Sequence, residues 1–368
     1  VGTMRERPDK ATADETTLPH GNVAFVPLYG QSSGNHRGRI TATRLGAVLL
    51  YCHTAGGMAG RHFDVVIHVK HVCVKVLEMG IGRHHVLDHV DMTWTSNHVA
   101  KHPIGLRNFY EAYAHRFSGQ IMNSGPQVDD QCRTSVCAVI PHHFNMECVP
   151  RLNRSANRVV GLIGWENLLE KELRGRGFSQ LAGLEIEAEP IPGARVRSTL
   201  WTRGKKRSEE LLRDESRQLQ CAFFDRLRVA VAWNKQLPAS RMYEPGQRYT
   251  NPIVLAIPTI AYAHQASYNE YNEFGGGHFL CANLSCLQST VAAIRGGALD
   301  ATFDRMRPAV VASVSWNATR DRYVRLFADL ARCGSNASMD RCANLVRRNI
   351  DGTLRPHAST WEERHSQG

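Results

Sequence analysis

The sequence predicts an α/β protein made of two parallel-sheet domains in series. Apolar runs of strand length alternate with stretches of helical spacing, which is typical of βαβ units. The alternation restarts after a polar, proline-containing segment at 144–157, and 368 residues are enough for two domains. We therefore expect one domain over 21–150, a second over 158–335, a polar tail at 1–20 and a C-terminal tail at 336–368.

Five strands are predicted in the first half, at 22–29, 63–70, 84–91, 119–124 and 135–143. The run NVAFVPLY at 22–29 is almost wholly apolar, as expected for a strand buried on both faces. A glycine-rich turn at 30–38 follows it, and apolar residues then recur at helical spacing over 39–53. Further helices are predicted at 105–117 and 126–134.

The second half repeats this alternation without detectable sequence repetition. Strands are predicted at 158–165, 184–191, 228–233, 259–263 and 277–282, and helices at 166–177, 208–227, 286–307 and 319–333. Most strands in both halves end in polar or glycine-rich segments. Because ligands of such sheets bind outside the carboxyl ends of the strands, we expect a binding cleft between the two halves.

The stretch GQRYTNPIVLAIPTIAYA at 246–263 is the best local candidate for an anion site. Asn251 is a favoured N-cap and Pro252 suits the first helical position, so we expect a short helix that Pro258 ends before a strand. Helix N-termini bind anions, and Arg248 and Thr250 would add a cation and a hydroxyl. The alternative is that Arg248 pairs with Glu244 on the surface and that Asn251 only caps the helix.

The order of these segments resembles a known family. The strand RVAVAW (228–233), a basic loop, RYTNPIVLAIPTIAY (248–262) and ASYNEY (266–271) are similar to the donor half of GT-B glycosyltransferases. FVPLYGQSSGNHRG (25–38) resembles the first strand and glycine-rich loop of the acceptor half. VLDHVD (86–91) and VCAVIPHH (136–143) resemble later strands of that half, and VVGLIGW (159–165) resembles the opening strand of the donor half.

The resemblance implies two Rossmann-like domains facing each other across a cleft. It implies a glycosyltransferase that moves a sugar from a nucleotide-sugar to a glycan, lipid or protein acceptor, with no cofactor and no required metal. Basic side chains and helix N-termini would neutralise the leaving diphosphate. A sugar-nucleotide epimerase and a non-catalytic nucleotide-binding protein on the same fold remain alternatives.

The resemblance also implies a set of site residues. The catalytic candidates are Asp88, Asp91, Lys235 and Arg248, and the donor-binding candidates are Lys235, Arg248, Thr250, Asn251, Ser267 and Glu270. The acceptor-side loop would contribute Gly30, Gly34, His36, Arg37 and Arg39. The family's common Glu-x7-Glu pair is not reproduced, because Glu244 and Glu270 lie at a different spacing. The stereochemical outcome and the roles of the carboxylates therefore stay open.

Two histidine-rich segments end predicted strands of the first half. In RHHVLDHVD, His85, His89 and Asp91 would share one face of a strand, where three such side chains can bind a metal. We expect instead a polar strand end at the rim of the cleft. The segment PHHFN at 141–145 ends the last strand and faces either the cleft or a hinge, unless it is an ordinary polar turn.

The net charge and the composition limit which binding partners and which cellular compartment we expect. The net charge of +11 comes from scattered basic residues without a nucleic-acid-binding motif, so no nucleic-acid partner is expected. No apolar run reaches the ~18 residues of a spanning helix, which favours a cytoplasmic or membrane-peripheral protein. The Golgi or another secretory lumen remains an alternative if an N-terminal anchor is missing from this chain. Ten cysteines, of which Cys333 and Cys342 could pair, and four N-x-S/T sequons fit that alternative.

Overall fold

The computed structural model describes strands and helices in both halves of the chain. The residues that it describes are 22–27, 35–90, 113–132, 134, 136–144, 148, 159–163, 188–190, 221–233, 246–265, 268, 270–333 and 346–348. The strands within them are β1 (Val23–Pro27), β2 (Val48–Leu49), β3 (Phe63–Val69), β4 (Gly82–Asp88), β5 (Gly119–Met122), β6 (Val136–Val139), β7 (Val159–Leu162), β8 (Ala188–Pro190), β9 (Leu227–Ala232), β10 (Thr259–Tyr262), β11 (Leu280–Cys281) and β12 (Val346–Arg348).

The α-helices within the same residues pack around these strands. They are α1 (Thr41–Arg44), α2 (Val74–Glu78), α3 (Gly125–Gln131), α4 (Gln247–Val254), α5 (Leu284–Arg295), α6 (Asp300–Ser313) and α7 (Trp316–Cys333). None of the helices in the described part of the chain has both the length and the apolar content needed to cross a membrane.

The strands form two sheets, and every pairing within them is parallel. The first sheet has the order β12-β6-β5-β4-β3-β1-β2, and the second has the order β11-β10-β9-β7-β8. The predicted α/β class with two parallel sheets is therefore confirmed. Since all strands of a sheet run the same way, their carboxyl ends lie along a single edge of each sheet.

The C-terminal region returns to the first sheet. Strand β12, which lies in the range predicted to be a C-terminal tail, pairs with β6. Helix α7 packs its buried residues Tyr323, Leu326, Phe327 and Leu330 against apolar side chains of β1, β3, β4, β5 and β6. The division at 335 therefore does not separate the second domain from a tail, because both flanking segments complete the first domain.

The first sheet is covered on both faces, as its apolar strands predict. Val23 and Phe25 of β1 contact the layer that contains α7, whereas Ala24 and Val26 pack on the opposite side with α2. This alternation follows from the two-residue period of a strand. A further apolar cluster runs from β5, β6 and α3 into the strands of the second sheet, so the two halves share buried surface.

The segment predicted to be one helix over 39–53 is divided. A π-helical turn spans Asn35–Ile40, α1 follows, and the chain then enters β2. Gly46 ends α1 at a φ of 65°, a left-handed conformation that glycine adopts without strain. The predicted helices at 105–117, 166–177 and 208–227 lie largely outside the described residues.

Four disulfides join cysteines in the described residues. They are Cys52–Cys73, Cys132–Cys137, Cys148–Cys221 and Cys281–Cys286. The predicted pairing of Cys333 with Cys342 stays a prediction, because Cys342 lies outside the described residues.

A buried histidine pair joins β3 to β4. His68 Nε2 lies 3.1 Å from His85 Nδ1, and His68 Nδ1 accepts the Cys73 N–H. Burial, together with the nearby charges of Arg116 and His84, lowers the pKa of His85 to about 4. Burial also lowers the pKa of His68. Both rings are therefore neutral in the folded protein at neutral pH.

We expect this pair to make the fold sensitive to acid. The folded pKa of His85 lies below the ordinary value of 6.5, so the unfolded chain binds the extra proton between these values. The free energy of unfolding should fall as the pH drops from about 6.5 towards about 4. His85→Gln should flatten this dependence in urea titrations at several pH values, while His62→Gln, at an exposed position, should not. An unchanged slope in His85→Gln would contradict the assignment.

Candidate functional site

A buried polar network lies at the carboxyl edge of the first sheet. Arg37, in the π-helical turn after β1, forms an ion pair with Asp88 at the end of β4, with Nε 2.5 Å from Oδ2. Arg37 also donates to Asn123, just after β5, at 3.2 Å. Burial raises the pKa of Asp88, and the Arg37 guanidinium opposes this shift. Two predicted site residues, Arg37 and Asp88, are thus brought together, and Asn123 joins them.

The backbone beside this network is strained. Val90, two residues after Asp88, has a φ of 55°, a left-handed conformation that a β-branched residue rarely adopts. Its N–H donates to Asp88 Oδ1 at 3.3 Å, and its carbonyl accepts from the Asn123 side-chain amide. Lys70, which follows β3 at the same edge, has a φ of 63° and is also buried. Such conformations cluster at functional sites.

Helix α4 begins earlier than the sequence predicts. Its first residue is Gln247 and its N-cap position is Gly246, so Asn251 and Pro252 lie inside the helix. The Thr250 N–H already donates to the Gly246 carbonyl at 2.9 Å, and Thr250 is buried. The expected anion-binding turn therefore consists of residues 246–248. Thr250 and Asn251 do not lie in that turn, whereas Arg248 does.

The two ends of α4 differ in their contacts with the rest of the protein. At the C-terminus, Arg307 from α6 donates to the carbonyls of Ile253 and Val254 at 3.1 and 2.8 Å. A cation at this end complements the helix dipole. The N-terminus has no side-chain cap and no acidic residue in its first turn. The Tyr249 and Thr250 N–H groups both donate to the Gly246 carbonyl at 2.9 Å, so the first turn is closed by backbone hydrogen bonds.

A small pocket opens where the two halves meet. Its lining comes from the segment after β1 (Arg37 and Thr41), from residues 140–143 after β6, from Gln247 at the start of α4 and from Thr319 and Tyr323 of α7. The carboxyl edge of the first sheet and the N-terminus of α4 therefore contribute to one cavity. The prediction that PHHFN faces the cleft or a hinge agrees with His142 and His143 in this lining.

The pocket is lined by buried polar side chains. Arg37, Thr319 and Tyr323 are each at most 3 % exposed. The Tyr323 hydroxyl interacts with the Arg37 guanidinium, whose charge and hydrogen bond oppose the rise in the Tyr323 pKa that burial causes. Thr319 Oγ1 has no hydrogen-bond partner in the part of the chain that the structure describes, and a buried hydroxyl of this kind is normally satisfied by water or by a ligand.

Glu270, a predicted donor-binding residue, lies at the junction between the two halves. Its Oε1 accepts the N–H of Gly125, the first residue of α3, across the junction between the two halves. The Glu270 charge also acts on Arg322 of α7, raising the guanidinium pKa that burial lowers. In this position Glu270 connects the second half to the first, and its role as a donor contact stays a prediction.

The remaining predicted residues are only partly observed. Gly30, Gly34, Asp91, Lys235 and Ser267 lie outside the described residues, as does the side chain of His36. Arg39 is exposed. Of the histidines considered for a metal, His85 pairs with His68 and His89 contacts Gln120. No group of three or more metal-binding side chains occurs among the residues that the structure describes.

Sequence reasoning missed Gln247, Thr319 and Tyr323 as pocket residues. Gln247 was missed because the Asn251-Pro252 signal moved the expected helix start downstream. Thr319 and Tyr323 belong to a helix whose sequence shows only an amphipathic pattern, without indicating that it packs on the first sheet. No local signal would have identified them.

Comparisons with known proteins give weak structural likenesses only. No known protein family matches the sequence, and no curated protein matches it. Among solved structures, TarM superposes with a TM-score of 0.46 at 10% identity over 72% of this chain, which spans about half of TarM (54%). A glycotransferase of kitacinnamycin gives 0.45 at 10% identity, with coverage of 84% of this chain and 99% of that one. AviGT4, a glycosyltransferase of avilamycin A biosynthesis, gives 0.42 at 11% identity, with 86% and 100% coverage.

We expect the Arg37–Asp88 pair to be strongly coupled. Arg37→Met should lower the free energy of unfolding by about 3–5 kcal/mol, because it leaves a buried carboxylate uncompensated. Arg39→Met, in the same segment but exposed, should have little effect. Urea denaturation of Arg37→Met, Asp88→Leu and the double variant measures the coupling. If the double variant loses the sum of the single losses, the two side chains do not act as a pair.

Proposed function

We propose that the protein is a glycosyltransferase that moves a sugar from a nucleotide-sugar to a glycan, lipid or protein acceptor. The observation that carries this proposal is the pocket at the junction of the two halves. There the buried Arg37 guanidinium, the buried Thr319 hydroxyl and Gln247 at the start of α4 line one cavity. The sequence resemblance to GT-B glycosyltransferases independently points to the same segments.

The chemistry of this pocket suits a diphosphate. A helix N-terminus presents N–H groups and the positive end of the dipole, which together favour phosphate. Arg37 adds a planar donor group to the lining, and Arg248, next to the lining residue Gln247 in the chain, places a second cation in the first turn of α4. The hydroxyls of Thr319 and Tyr323 supply neutral donors. The protein's net charge of +11 also favours association with an anionic substrate.

The same groups would act on the leaving group. When the bond between the anomeric carbon and the diphosphate breaks, the electron pair stays on the phosphate oxygen and negative charge accumulates there. N–H donors and guanidinium groups that are already in place stabilise that charge without reorganising. This mechanism needs no metal and no cofactor. Lys235, outside the described residues, remains a candidate for a further cation at this edge.

Asp88 is better assigned as a positioning residue than as a base. It is fully buried and its carboxylate is engaged by Arg37 and by the Val90 N–H. By holding the Arg37 guanidinium, Asp88 keeps Arg37 in the lining of the pocket. Asp91 remains the proposed base from the same segment. Glu270 is assigned to the contact with α3, and Ser267 stays a proposed donor contact.

A screen of nucleotide-sugars tests the proposal directly. We expect at least one to raise the melting temperature of the full chain and to be consumed when acceptors are supplied, with turnover persisting in a metal chelator. Product analysis separates transfer to an acceptor from epimerisation of the donor. Binding without turnover of any kind would favour the non-catalytic alternative. If no nucleotide-sugar or nucleoside diphosphate binds, the proposal fails.

The role of Arg248 can be separated from general charge effects. Arg248→Ala should weaken binding of the stabilising nucleoside diphosphate about 10-fold or more in calorimetry, because a charge-assisted hydrogen bond contributes about 1.5–3 kcal/mol. Arg305→Ala removes the same charge from an exposed position on α6 and should leave the affinity unchanged. Both variants should keep the wild-type melting temperature to within a few degrees. Equal affinity in Arg248→Ala and wild type would exclude Arg248 from the donor site.

A further inference from the structure

The cysteines of the described residues have a feature that glycosyl transfer does not require. All those whose side chains are described are paired, in four disulfides. One pair, Cys148–Cys221, bridges residues 73 positions apart, so it forms only once distant segments have come together. Several structural disulfides in one chain are typical of oxidising compartments and rare in the cytosol. The disulfides therefore favour the secretory alternative for this protein.

One sequon has the exposure that a modification site needs. Asn283-Leu284-Ser285 lies at the start of α5, between the paired Cys281 and Cys286. Asn283 and Ser285 are both exposed. In the sequon at Asn317, by contrast, Asn317 is exposed but the Thr319 hydroxyl is buried at the pocket. The sequons at Asn153 and Asn336 lie outside the described residues.

The structural role of Asn283 is compatible with a glycan. Asn283 is the N-cap of α5, and its Oδ1 accepts the Cys286 N–H at 2.9 Å. N-linked glycosylation uses the other atom of the amide, Nδ2, and leaves the carbonyl oxygen in place. The cap and the glycan can therefore exist together, and the modified helix keeps its first hydrogen bond.

We propose that the chain matures in an oxidising secretory compartment and carries an N-linked oligosaccharide on Asn283. The donor is a lipid-linked oligosaccharide diphosphate supplied by the compartment. The Asn283 Nδ2 loses one proton and bonds to the anomeric carbon of the sugar. The bond from that carbon to the diphosphate breaks, the lipid diphosphate leaves with the electron pair, and the proton passes to solvent. This inference does not depend on the proposed glycosyltransferase activity.

The glycan is tested on the full chain secreted from eukaryotic cells. Digestion with an N-glycosidase in ¹⁸O-labelled water should convert Asn283 to labelled aspartate, detected by peptide mass spectrometry. In a background with Asn153, Asn317 and Asn336 each replaced by Gln, a glycosidase-sensitive mass shift should remain. Ser285→Thr should keep that shift and Ser285→Ala should abolish it. Asn283→Asp should also abolish it while keeping the helix cap, since aspartate is an equally good N-cap.

Unlabelled Asn283 in the wild-type peptide map would overturn the glycan assignment, whatever the folding of the variants. The compartment is tested separately by non-reducing peptide maps, which should show the same four cysteine pairs in the secreted protein. Protein made in a reducing cytosol should have thiols that react with alkylating agents and a lower melting temperature. Unpaired thiols at these eight positions in the secreted protein would overturn the assignment to an oxidising compartment. An equal melting temperature for the protein with and without disulfides would also overturn it.

Discussion

The buried ion pair between Arg37 and Asp88 is the interaction on which the arrangement of the site depends. Desolvating two charges is expensive, and apolar side chains of the same volume would often give a more stable core. The geometry that the pair creates is the feature that a hydrophobic replacement would not reproduce. Asp88 and Asn123 hold the guanidinium from two strand ends, beside the Tyr323 hydroxyl in the lining of the pocket. Gly38 permits this position, since a Cβ there would lie 2.5 Å from the Pro27 ring.

The pocket also depends on the way in which the chain returns to its first half. Helix α7 brings Thr319 and Tyr323 to the cavity while its other buried residues cover the first sheet. Glu270 accepts a hydrogen bond from α3. Arg322 of α7 donates to the Ser313 carbonyl at 2.7 Å, and this hydrogen bond holds α7 against the end of α6. Neither sheet alone could form the cavity, because its walls come from both halves.

Local patterns predicted the strands well and the site only in part. The runs of β1, β3 and β9 are largely apolar. Short apolar runs of this kind indicate strands that are buried on both faces of a sheet. The start of α4 was misplaced because Pro252 lies in the interior of a short helix, where it removes the donor that would pair with the Arg248 carbonyl. The pairing of Arg37 with Asp88, 51 positions apart, depends on the strand order β4-β3-β1, which no local pattern contains.

The helices of the second half and of the junction differ in the hydrogen-bond acceptors that their N-terminal N–H groups find. In α3, the Gln127 N–H donates to the Ser124 hydroxyl and the Gly125 N–H donates to the Glu270 carboxylate. In α5, the Cys286 N–H donates to the Asn283 side chain. In the described part of the chain, the N-cap of α4 is Gly246, which has no side chain, and the first turn of α4 contains no acidic residue. The first residue of α4, Gln247, instead lines the pocket together with Arg37. The start of α3 is therefore held by a carboxylate from the other half, whereas the start of α4 lies at the cavity between the halves.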